Sequence, residues 1–231
     1  MTLQSTALLH LLQLCSPSLP VGAYSYSQGL EAAMVSGHVH DEASARAWIV
    51  GMLEEVVARF EAPVTWRLLQ AFAARDDQAV QYWNALFIAS RDSAEFRAET
   101  IQMGYSLGKL IAELKADDAE SEALIQLLQN QTELPFPTAL AAAAVALDVP
   151  AEEALLGMLF SWAENQVLAC VKSVPLGQVS GQRLLLSLRP GLEAAAETAR
   201  TLADDELSNW SPGLSLLSMQ HEVQYSRLYR S

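Results

Sequence analysis

Residues 45–60 read ARAWIVGMLEEVVARF, and their pattern decides the fold class. The apolar positions recur alternately three residues and one residue apart: Ala45, Trp48, Ile49, Met52, Leu53, Val56, Val57 and Phe60. This spacing puts them on one face of an α-helix, which the two-residue period of a strand cannot do. The stretch therefore predicts an amphipathic helix, with Asp41 or Ser44 as its N-cap.

A second stripe of helical spacing covers residues 96–114. It runs through Phe96, Thr100, Met103, Leu107, Leu110 and Leu114. Gly104 and Gly108 lie one turn apart beside it, and without a Cβ they allow a neighbouring helix to come close. We interpret the two glycines as packing residues.

The remaining sequence predicts further helices separated by proline-containing breaks, among them Ala62-Pro63 and Arg189-Pro190-Gly191. It contains no long run of alternating β-branched residues. The expected fold class is all-α, a single globular bundle of about ten helices that forms one domain over residues 1–231. Besides the two helices above, helices are expected near 3–14, 27–36, 62–74, 77–90, 118–131, 138–147, 151–172, 177–188, 191–203 and 213–225.

The charge balance narrows the partners that the chain can bind. Its 231 residues include 14 Lys and Arg against 27 Asp and Glu, a formal net charge of −13. Nucleic acid and anionic membranes are not expected partners, because phosphate binding needs clustered Lys and Arg. The sequence also lacks the run of about 20 apolar residues that a membrane span requires, and it lacks a signal-peptide pattern. We therefore expect a cytoplasmic protein.

Motifs for catalysis or metal binding are absent from the sequence. Phosphate-binding loops, dinucleotide fingerprints, zinc-protease motifs and hydrolase elbows do not occur. His38 and His40 form an H-x-H pair of metal-ligating type, but their short connection between helices favours a solvated loop. Cys15 and Cys170 share no C-x-x-C spacing, and Cys170 is expected to be a small core residue. We expect a protein that is not an enzyme and holds no metal.

Three polar segments are not explained by helix packing alone. Residues 19–31 read LPVGAYSYSQGLE, residues 171–178 read VKSVPLGQ and residues 221–231 read HEVQYSRLYRS. The last segment, called the C-terminal tail below, carries two arginines and two tyrosines, types enriched at protein–protein hot spots. The alternative interpretations are a capped loop, a cation at a helix C-terminus and a frayed end, in that order.

In this order the three segments resemble motifs of the urease accessory protein F family. Residues 19–31 fit its L-P-[VI]-G-[AGS]-[YF]-[ST]-x-S-x-G-L-E pattern, residues 172–178 fit [KR]-x-V-P-[LF]-G-Q, and the C-terminal tail fits H-E-x-x-[YF]-S-R-L-[FY]-x-S. Residues 97–100 followed by Gly104 are similar to a further family feature. Ser173 stands where leucine is common and Tyr229 where phenylalanine is common.

The resemblance implies a non-catalytic, all-helical chaperone for metal-centre assembly that forms homodimers. Its partners would be accessory protein D, called H in some species, and accessory protein G, a small GTPase that carries nickel. Their complex would dock on apo-urease and couple GTP hydrolysis to nickel delivery. This chain would bind no cofactor, because its partners handle nickel and GTP.

The candidate site combines the resemblance with the residue types. Lys172, Pro175 and Gly177 are expected to be structural or regulatory. Residues 24–31 are expected at the surface or lining a groove, because unpaired polar groups cost about 1–3 kcal/mol each to bury. One of their two tyrosines should pack inward. The expected partner-binding residues are Tyr24, Ser25, Tyr26, Gln28, Glu31, His221, Glu222, Tyr225, Arg227, Leu228 and Tyr229.

Two further expectations concern conformation. Lys172 ends a long apolar helix that we expect to be substantially buried, and we expect its ammonium to reach backbone carbonyls or a carboxylate near the helix end. The apolar residues of the C-terminal tail form no continuous helical stripe. We therefore expect the tail to be mobile in the free protein and ordered on binding accessory protein D, with Arg227 where the GTPase docks.

Two other functions stay open at this point. The first is a strict GTPase-activating protein, in which Arg227 or Arg230 enters the GTPase site as an arginine finger; such a residue contributes a factor of about 10³–10⁵ in rate. The second is an all-helical enzyme built on a buried pair of Lys172 with a glutamate, for which Glu164 is the only acid near it on the same helix.

Overall fold

The computed structural model describes residues 4–115, 118, 121–174 and 176–231. Within these residues the chain is helical and contains no strand, which confirms the predicted all-α class. The helices are α1 (Ser5–Leu14), α2 (Leu30–Val35), α3 (Glu42–Met52), α4 (Ala62–Ala74), α5 (Asp77–Ala89), α6 (Ala94–Leu114), α7 (Glu122–Gln129), α8 (Phe136–Ala146), α9 (Ala151–Ser173), α10 (Gln178–Thr201) and α11 (Pro212–Glu222).

The core is built around α8, a short helix that is buried on nearly every side. Its sequence FPTALAAAAVA supplies five fully buried alanines, at positions 139 and 141–144. Small side chains let α4 and α6 pack closely against it from different directions. A helix that is apolar all round belongs in the interior, so α8 is the central element of the bundle.

The long helix α9 packs against α10, α4 and α2. Among the described residues it is the one helix long and apolar enough to cross a membrane, and half of its apolar window is buried inside the bundle. Cys170, near its end, is fully buried, and burial raises the pKa of its thiol to about 12. This confirms the prediction that Cys170 is a small core residue.

The predicted break at Pro63 is wrong, because residues 42–74 form one continuous helix. A π-helical segment, Leu53–Glu61, joins α3 to α4. Pro63 lacks the N–H that would bind the carbonyl of Arg59 four residues earlier, and that carbonyl instead accepts the N–H of Ser208 at 3.1 Å. A tertiary contact thus replaces the hydrogen bond that proline removes.

The predicted break at Pro190 is also wrong, since α10 continues through it. A proline inside a helix costs about 3 kcal/mol or more. Here the apolar stripe of α10 continues on both sides of Pro190, with Leu184, Leu188 and Leu192 each no more than 3 % exposed. Packing of that stripe against α9 and α4 outweighs the local cost of the proline.

Gly104 and Gly108 are packing residues, as the sequence predicts. A Cβ on Gly104 would lie 2.0 Å from the carbonyl oxygen of Leu134, and one on Gly108 would lie 2.7 Å from the Leu134 side chain. The segment that enters α8 therefore crosses α6 at its two glycines, and this close crossing places α8 against α6.

Gly104→Ala is predicted to lower the free energy of unfolding by about 2 kcal/mol or more, because its Cβ would overlap backbone atoms that cannot yield. Gly51→Ala is the matched control. A Cβ there meets nothing within 4 Å, so removing a helical glycine should raise stability by about 0.5–1 kcal/mol. Guanidinium denaturation of both variants measures the difference. Equal midpoints for Gly104→Ala and the parent would show that the close crossing is absent.

Candidate partner-binding site at the C-terminal tail

The C-terminal tail is packed against the body of the protein, so the prediction that it is mobile in the free chain is wrong. His221 is fully buried, and Tyr229 and Ser231 are 7 % and 1 % exposed. The contacts that hold the tail are mostly polar. For that reason the apolar spacing of its sequence gave no sign of them.

One carboxylate holds the middle of the tail. Glu31 Oε1 accepts the backbone N–H of Leu228 at 2.8 Å, and Oε2 accepts that of Tyr229 at 2.9 Å. Glu31 lies in the first turn of α2 and is 6 % exposed. Hydrogen bonds to an ionised acceptor are roughly twice as strong as neutral ones. Glu31 thus supplies the partners that a helix or sheet would otherwise give these backbone groups.

His221 lies between two carboxylates. Its Nε2 is 3.0 Å from Glu31 Oε2 and its Nδ1 is 2.7 Å from Glu95 Oε2. A neutral imidazole has one N–H and can donate to only one of them. Each ring nitrogen therefore has a carboxyl oxygen within hydrogen-bonding distance, whichever tautomer the ring adopts. The other oxygen of Glu95 accepts Arg227 Nη1 at 2.8 Å.

A second cluster holds the end of the tail. The main-chain oxygen of Ser231 accepts the N–H of Ser27 at 2.8 Å and its Oγ–H at 2.6 Å. Ser231 Oγ lies 2.7 Å from Glu99 Oε2, one turn along α6 from Glu95. Just before it, the N–H of Arg230 donates to the carbonyl of Ser25 at 2.8 Å. Residues 19–31 and the C-terminal tail are therefore in direct contact, although about 200 positions separate them in sequence.

Gln28 connects this cluster to α9. Its backbone is left-handed, with φ of 56°, which is uncommon for a residue other than glycine. In this conformation Nε2 donates to Glu99 Oε1 at 2.7 Å, and Oε1 accepts Trp162 Nε1 at 2.8 Å. Backbone strain of this kind persists where surrounding contacts fix it, and here three polar side chains do so, since Gln166 also donates to Gln28 Oε1.

The environment of Glu99 raises the pKa of its carboxyl group. Burial raises the pKa of its carboxyl group to about 7, and the hydrogen bonds from Gln28 and Ser231 lower it only in part. Of the nearby charges, Glu61 raises the pKa and Arg91 lowers it. Glu99 is therefore substantially protonated at neutral pH.

The expectations for residues 24–31 hold in part. Tyr26 is 5 % exposed and Tyr24 is 61 % exposed, so one ring packs inward and the other outward, as predicted. The expectation that the segment lies at the surface is wrong for Ser27 and Glu31, which are both buried. Their polar atoms are paired with the C-terminal tail, so burial leaves none of them unsatisfied.

The side chain of Lys172 is exposed, and its Nζ lies 5.8 Å from the centroid of the Tyr229 ring. The expected contact of the ammonium with carbonyls or a carboxylate is not formed within the described residues, and the structural or regulatory role of Lys172 stays a prediction. Gly177 precedes α10 with an extended backbone, and a Cβ there would meet nothing within 4 Å. Pro175 lies outside the described residues.

The helix α11 turns both apolar and polar residues inward, and Leu217 is 9 % exposed. It buries Ser218 and His221, 1 % and 0 % exposed, and Ser218 Oγ lies 2.6 Å from Ser93 Oγ at the start of α6. At the far end of the helix, Glu222 accepts the backbone N–H of Ala94 at 2.9 Å. The outward face carries Leu216, Met219 and Val223, which are 60 %, 44 % and 85 % exposed.

The tail extends this apolar surface. Tyr225 and Leu228 are 105 % and 75 % exposed, and Trp210, just before α11, is 82 % exposed. Sequence reasoning missed Trp210, Leu216 and Met219. Their helical spacing is visible in the sequence, but the sequence does not tell which stripe of α11 faces the core. We call Trp210, Leu216, Met219, Val223, Tyr225 and Leu228 the outer face.

Beneath the clusters lies a cavity of about 160 Å³. Gln28, Glu99 and Trp162 line one part of it, and the ion pair of Arg91 with Glu61 lines another. Lys172 is not in its lining, and its side chain is exposed. The enzyme hypothesis that required a buried Lys172–glutamate pair is therefore wrong.

No metal site is formed by the residues that the structure describes. Within those ranges no group of three or more His, Cys, Asp and Glu side chains is arranged to hold an ion. His38 and His40 are both exposed, in agreement with a solvated loop.

Comparison with known proteins identifies the family. The family model for UreF matches residues 39–189. The chain belongs to the UreF family. Similar UreF proteins, each named urease accessory protein UreF, come from Janthinobacterium sp. (strain Marseille), 74 % identical over 99 % of this chain and 100 % of that protein; Nitrosospira multiformis (strain ATCC 25196 / NCIMB 11849 / C 71), 64 % identical over 97 % and 98 %; and Azoarcus sp. (strain BH72), 52 % identical over 97 % and 95 %.

The UreF family model covers neither residues 19–31 nor the C-terminal tail. The relatives do extend over these segments, since the match to the Janthinobacterium protein takes in 229 residues. The two clusters that hold the tail therefore join segments on both sides of the matched range to Glu95 and Glu99, which lie within it.

Glu31→Gln is predicted to lower the free energy of unfolding by about 3 kcal/mol, because it removes one partner of a buried charged contact. The amide keeps the size of the side chain but presents an NH₂ to one of its donors. Glu55→Gln, on an exposed side chain, is the matched control and should change stability by less than about 0.5 kcal/mol. Urea denaturation measures both variants, and equal effects would contradict the role of Glu31.

Glu99 is predicted to make stability fall as pH rises. Its pKa is about 7 in the folded state against 4.5 without the protein environment. Below the lower value both states are protonated, and between the two values the folded state holds more protons. The free energy of unfolding therefore decreases across this window, by up to about 3 kcal/mol from this group.

Thermal or urea unfolding between pH 4.5 and pH 8 tests this prediction. Glu99→Gln should lose the decrease and should be more stable than the parent at pH 8. Glu54→Gln, at an exposed position, should follow the parent. A parallel decrease in the parent and in Glu99→Gln would assign the pH dependence to other groups.

Proposed function

We propose that this chain is a urease maturation chaperone that bridges accessory protein D (H) and the nickel-carrying GTPase accessory protein G, and so supports GTP-dependent nickel insertion into apo-urease. The observation that carries the proposal is the row of exposed apolar residues on the outer side of α11. A surface helix normally turns its apolar residues inward. α11 does so with Leu217 but leaves Leu216, Met219 and Val223 exposed, and the tail adds the exposed Tyr225 and Leu228. Exposed contiguous apolar surface of this kind marks an interaction site.

The composition of the outer face supports a protein partner. Aromatic residues and methionine are enriched in interfaces, and the outer face contains Trp210, Met219 and Tyr225. Trp and Tyr are also the types that contribute most to binding energy. The family names of the relatives point to the urease system. Accessory protein D is the partner that we assign to the outer face.

Arg227 is the residue that we assign to the GTPase. Its side chain is 40 % exposed and pairs with Glu95, which is 11 % exposed. Exchange of Glu95 for a carboxylate on the GTPase would keep the guanidinium paired. On a chain of net charge −13, a positive residue beside the outer face also favours one orientation of the partner.

In this proposal the chain has no catalytic role, binds no cofactor and acts in the cytoplasm as a homodimer. A second apolar surface is available for the dimer. The neighbouring helices α1 and α9 expose Leu9, Leu12 and Phe160 by 65 %, 58 % and 36 %. Lys172 lies over Tyr229, so it would affect the GTPase through the tail rather than through chemistry.

The alternative function is a strict GTPase-activating protein. Arg230 favours it, because its side chain is exposed and its guanidinium has no ion pair within the described residues. GTP turnover by accessory protein G, with and without this chain, separates the two functions. An arginine finger requires a rate increase of about 10³ or more that is lost in Arg230→Ala.

Partner recruitment is predicted to divide between the two parts of the site. The double variant Met219→Ser/Val223→Ser should weaken binding of accessory protein D by about 2 kcal/mol or more. Arg227→Ala should weaken binding of the GTPase by about 2 kcal/mol and leave the complex with accessory protein D intact. Leu186→Ser, at a 56 % exposed position on α10, is the matched control and should bind both partners normally.

Pull-down and calorimetric titration with the purified accessory proteins provide the measurement. A chain ending at residue 222 should lose both partners. If that chain and the double variant recruit both partners at the parental affinity, the outer face is not the docking surface and the proposed function loses its support.

A further inference from the structure

The cavity beneath the clusters has no part in the proposed function. It has a volume of about 160 Å³ and is lined mainly by apolar side chains. Its lining also includes the exposed Asp92 and the half-buried Ser211, so the cavity reaches the surface beside α11. A small molecule can therefore enter it while the chain stays folded.

Aromatic rings and thioether groups form much of the apolar wall. Three phenylalanines and three methionines line the cavity: Phe87, Phe96, Phe136, Met52, Met103 and Met158. Phenyl rings pack well against another ring, and methionine sulfur makes favourable contacts with aromatic rings. An apolar cavity of about 150 Å³ is large enough to bind benzene. The size and the lining of the cavity both fit a molecule with one aromatic ring.

Arg91 brings hydrogen-bond donors to this apolar space. Its side chain is 10 % exposed, and its guanidinium lies 4.3 Å from the centroid of the Phe87 ring. Nε and Nη2 donate to Ser90 Oγ, and Nη1 donates to Glu61 Oε1. Because a guanidinium has five N–H groups, two of them are left without a partner among the described residues. Unpaired donors on so buried a group are costly, and a ligand oxygen would satisfy them.

Glu99 brings an acceptor to the same cavity. It is 5 % exposed, and its two oxygens accept Gln28 Nε2 and Ser231 Oγ. A carboxyl group has capacity for more than two hydrogen bonds in either protonation state, so Glu99 can accept a further donor. Arg91 is close enough to act on the charge of Glu99. Beside them, the left-handed backbone of Gln28 is local strain of the kind that clusters at ligand sites.

We propose that this cavity is a binding site for a free, single-ring aromatic molecule that carries a hydroxyl group, that is, a phenol. The ring lies against the phenylalanine and methionine side chains. The hydroxyl group accepts from Arg91 and donates to Glu99. A hydroxyl group can do both, whereas a carboxylate only accepts and an ammonium only donates. The site goes beyond the proposed function, because it needs no partner protein.

The site lies behind the helix that carries part of the outer face. Leu214 and Ser215 of α11 line the cavity, whereas Leu216 and Met219 of the same helix are exposed on the outer face. A bound molecule therefore contacts both α11 and the body of the protein. Since it binds the folded arrangement only, it should stabilise α11 in its observed position.

NMR of the full chain with ¹³C-labelled methionine methyl groups tests the site. Met52, Met103 and Met158 line the cavity, whereas Met34 and Met219 do not and serve as internal references. Phenol should shift the first three methyl signals through its ring current and leave the two references unchanged. The dissociation constant should be about 1 mM or lower, which is within reach of a ligand of this size.

Benzene is the matched probe, because it has the same ring without the hydroxyl group. It should bind about tenfold more weakly than phenol or worse, since it leaves the N–H groups of Arg91 unpaired. Equal affinities, or tighter binding of benzene, overturn the assignment of a phenol. If phenol shifts none of the three cavity methyl groups, or shifts Met219 equally, the site itself is overturned and the cavity holds only water.

A variant tests the contact with the hydroxyl group. Arg91→Lys keeps a positive charge beside Glu61 but loses the planar fork of donors, so it should weaken phenol binding about fivefold or more and leave benzene binding unchanged. Arg97→Lys is the matched control, because Arg97 pairs with Glu133 and neither residue lines the cavity. It should bind both probes like the parent.

Unchanged phenol affinity in Arg91→Lys overturns the proposed contact. If that variant does not fold, the comparison of phenol with benzene on the parent chain decides the proposal. No partner protein is present in these experiments, so failure here is distinct from failure of the proposed function.

Discussion

The carboxylate of Glu31 is the contact on which the rest of the site depends. After Glu222 the chain has no regular structure, so its backbone donors need partners from elsewhere in the molecule. Glu31 provides two of these partners and also contacts His221. The inner side of α11 brings His221 to this acid and Ser218 to Ser93, so it has room for fewer apolar residues. Leu216, Met219 and Val223 are left on the outside, where they form part of the outer face.

The same arrangement joins the two ends of the sequence. Residues 19–31 supply Ser27 and Glu31, and the tail supplies the groups that they bind. Neither segment has an apolar stripe that would fix it alone. Their similar content of small, polar and aromatic residues follows from a shared, largely buried polar contact. In such a contact each unpaired group would cost about 1–3 kcal/mol.

The apolar periodicity of the sequence predicted those elements whose positions depend on apolar packing. The helix over residues 45–60 and the close crossing at Gly104 follow from spacing and from the absence of a Cβ, and both occur. Proline predicted helix ends less reliably. The breaks expected at Pro63 and Pro190 take into account only the free energy that a proline costs within its own helix. The structure offsets that cost with tertiary contacts, an N–H from Ser208 in one case and a continuous stripe on α10 in the other.

The tail was the least predictable element for a related reason. Its residue types suggested partner binding, but its attachment depends on single hydrogen bonds to residues more than 100 positions away. No spacing rule encodes such contacts. Lys172 shows the same limit, since its place at the end of an apolar helix suggested a contact with the helix end and the structure places its Nζ over the Tyr229 ring.

The outer face has a consequence for the chain when it is alone. The six exposed apolar side chains of the outer face favour self-association of the chain when no other protein covers them. The strong negative charge of the molecule opposes this association by electrostatic repulsion. The solubility of the chain then depends on the balance between apolar attraction at the outer face and electrostatic repulsion between molecules. High ionic strength, or a pH near the isoelectric point of about 4.6, removes the repulsion and leaves the adhesion. Binding of another protein over the outer face would prevent this aggregation, because covered apolar side chains cannot contact a second copy of the chain.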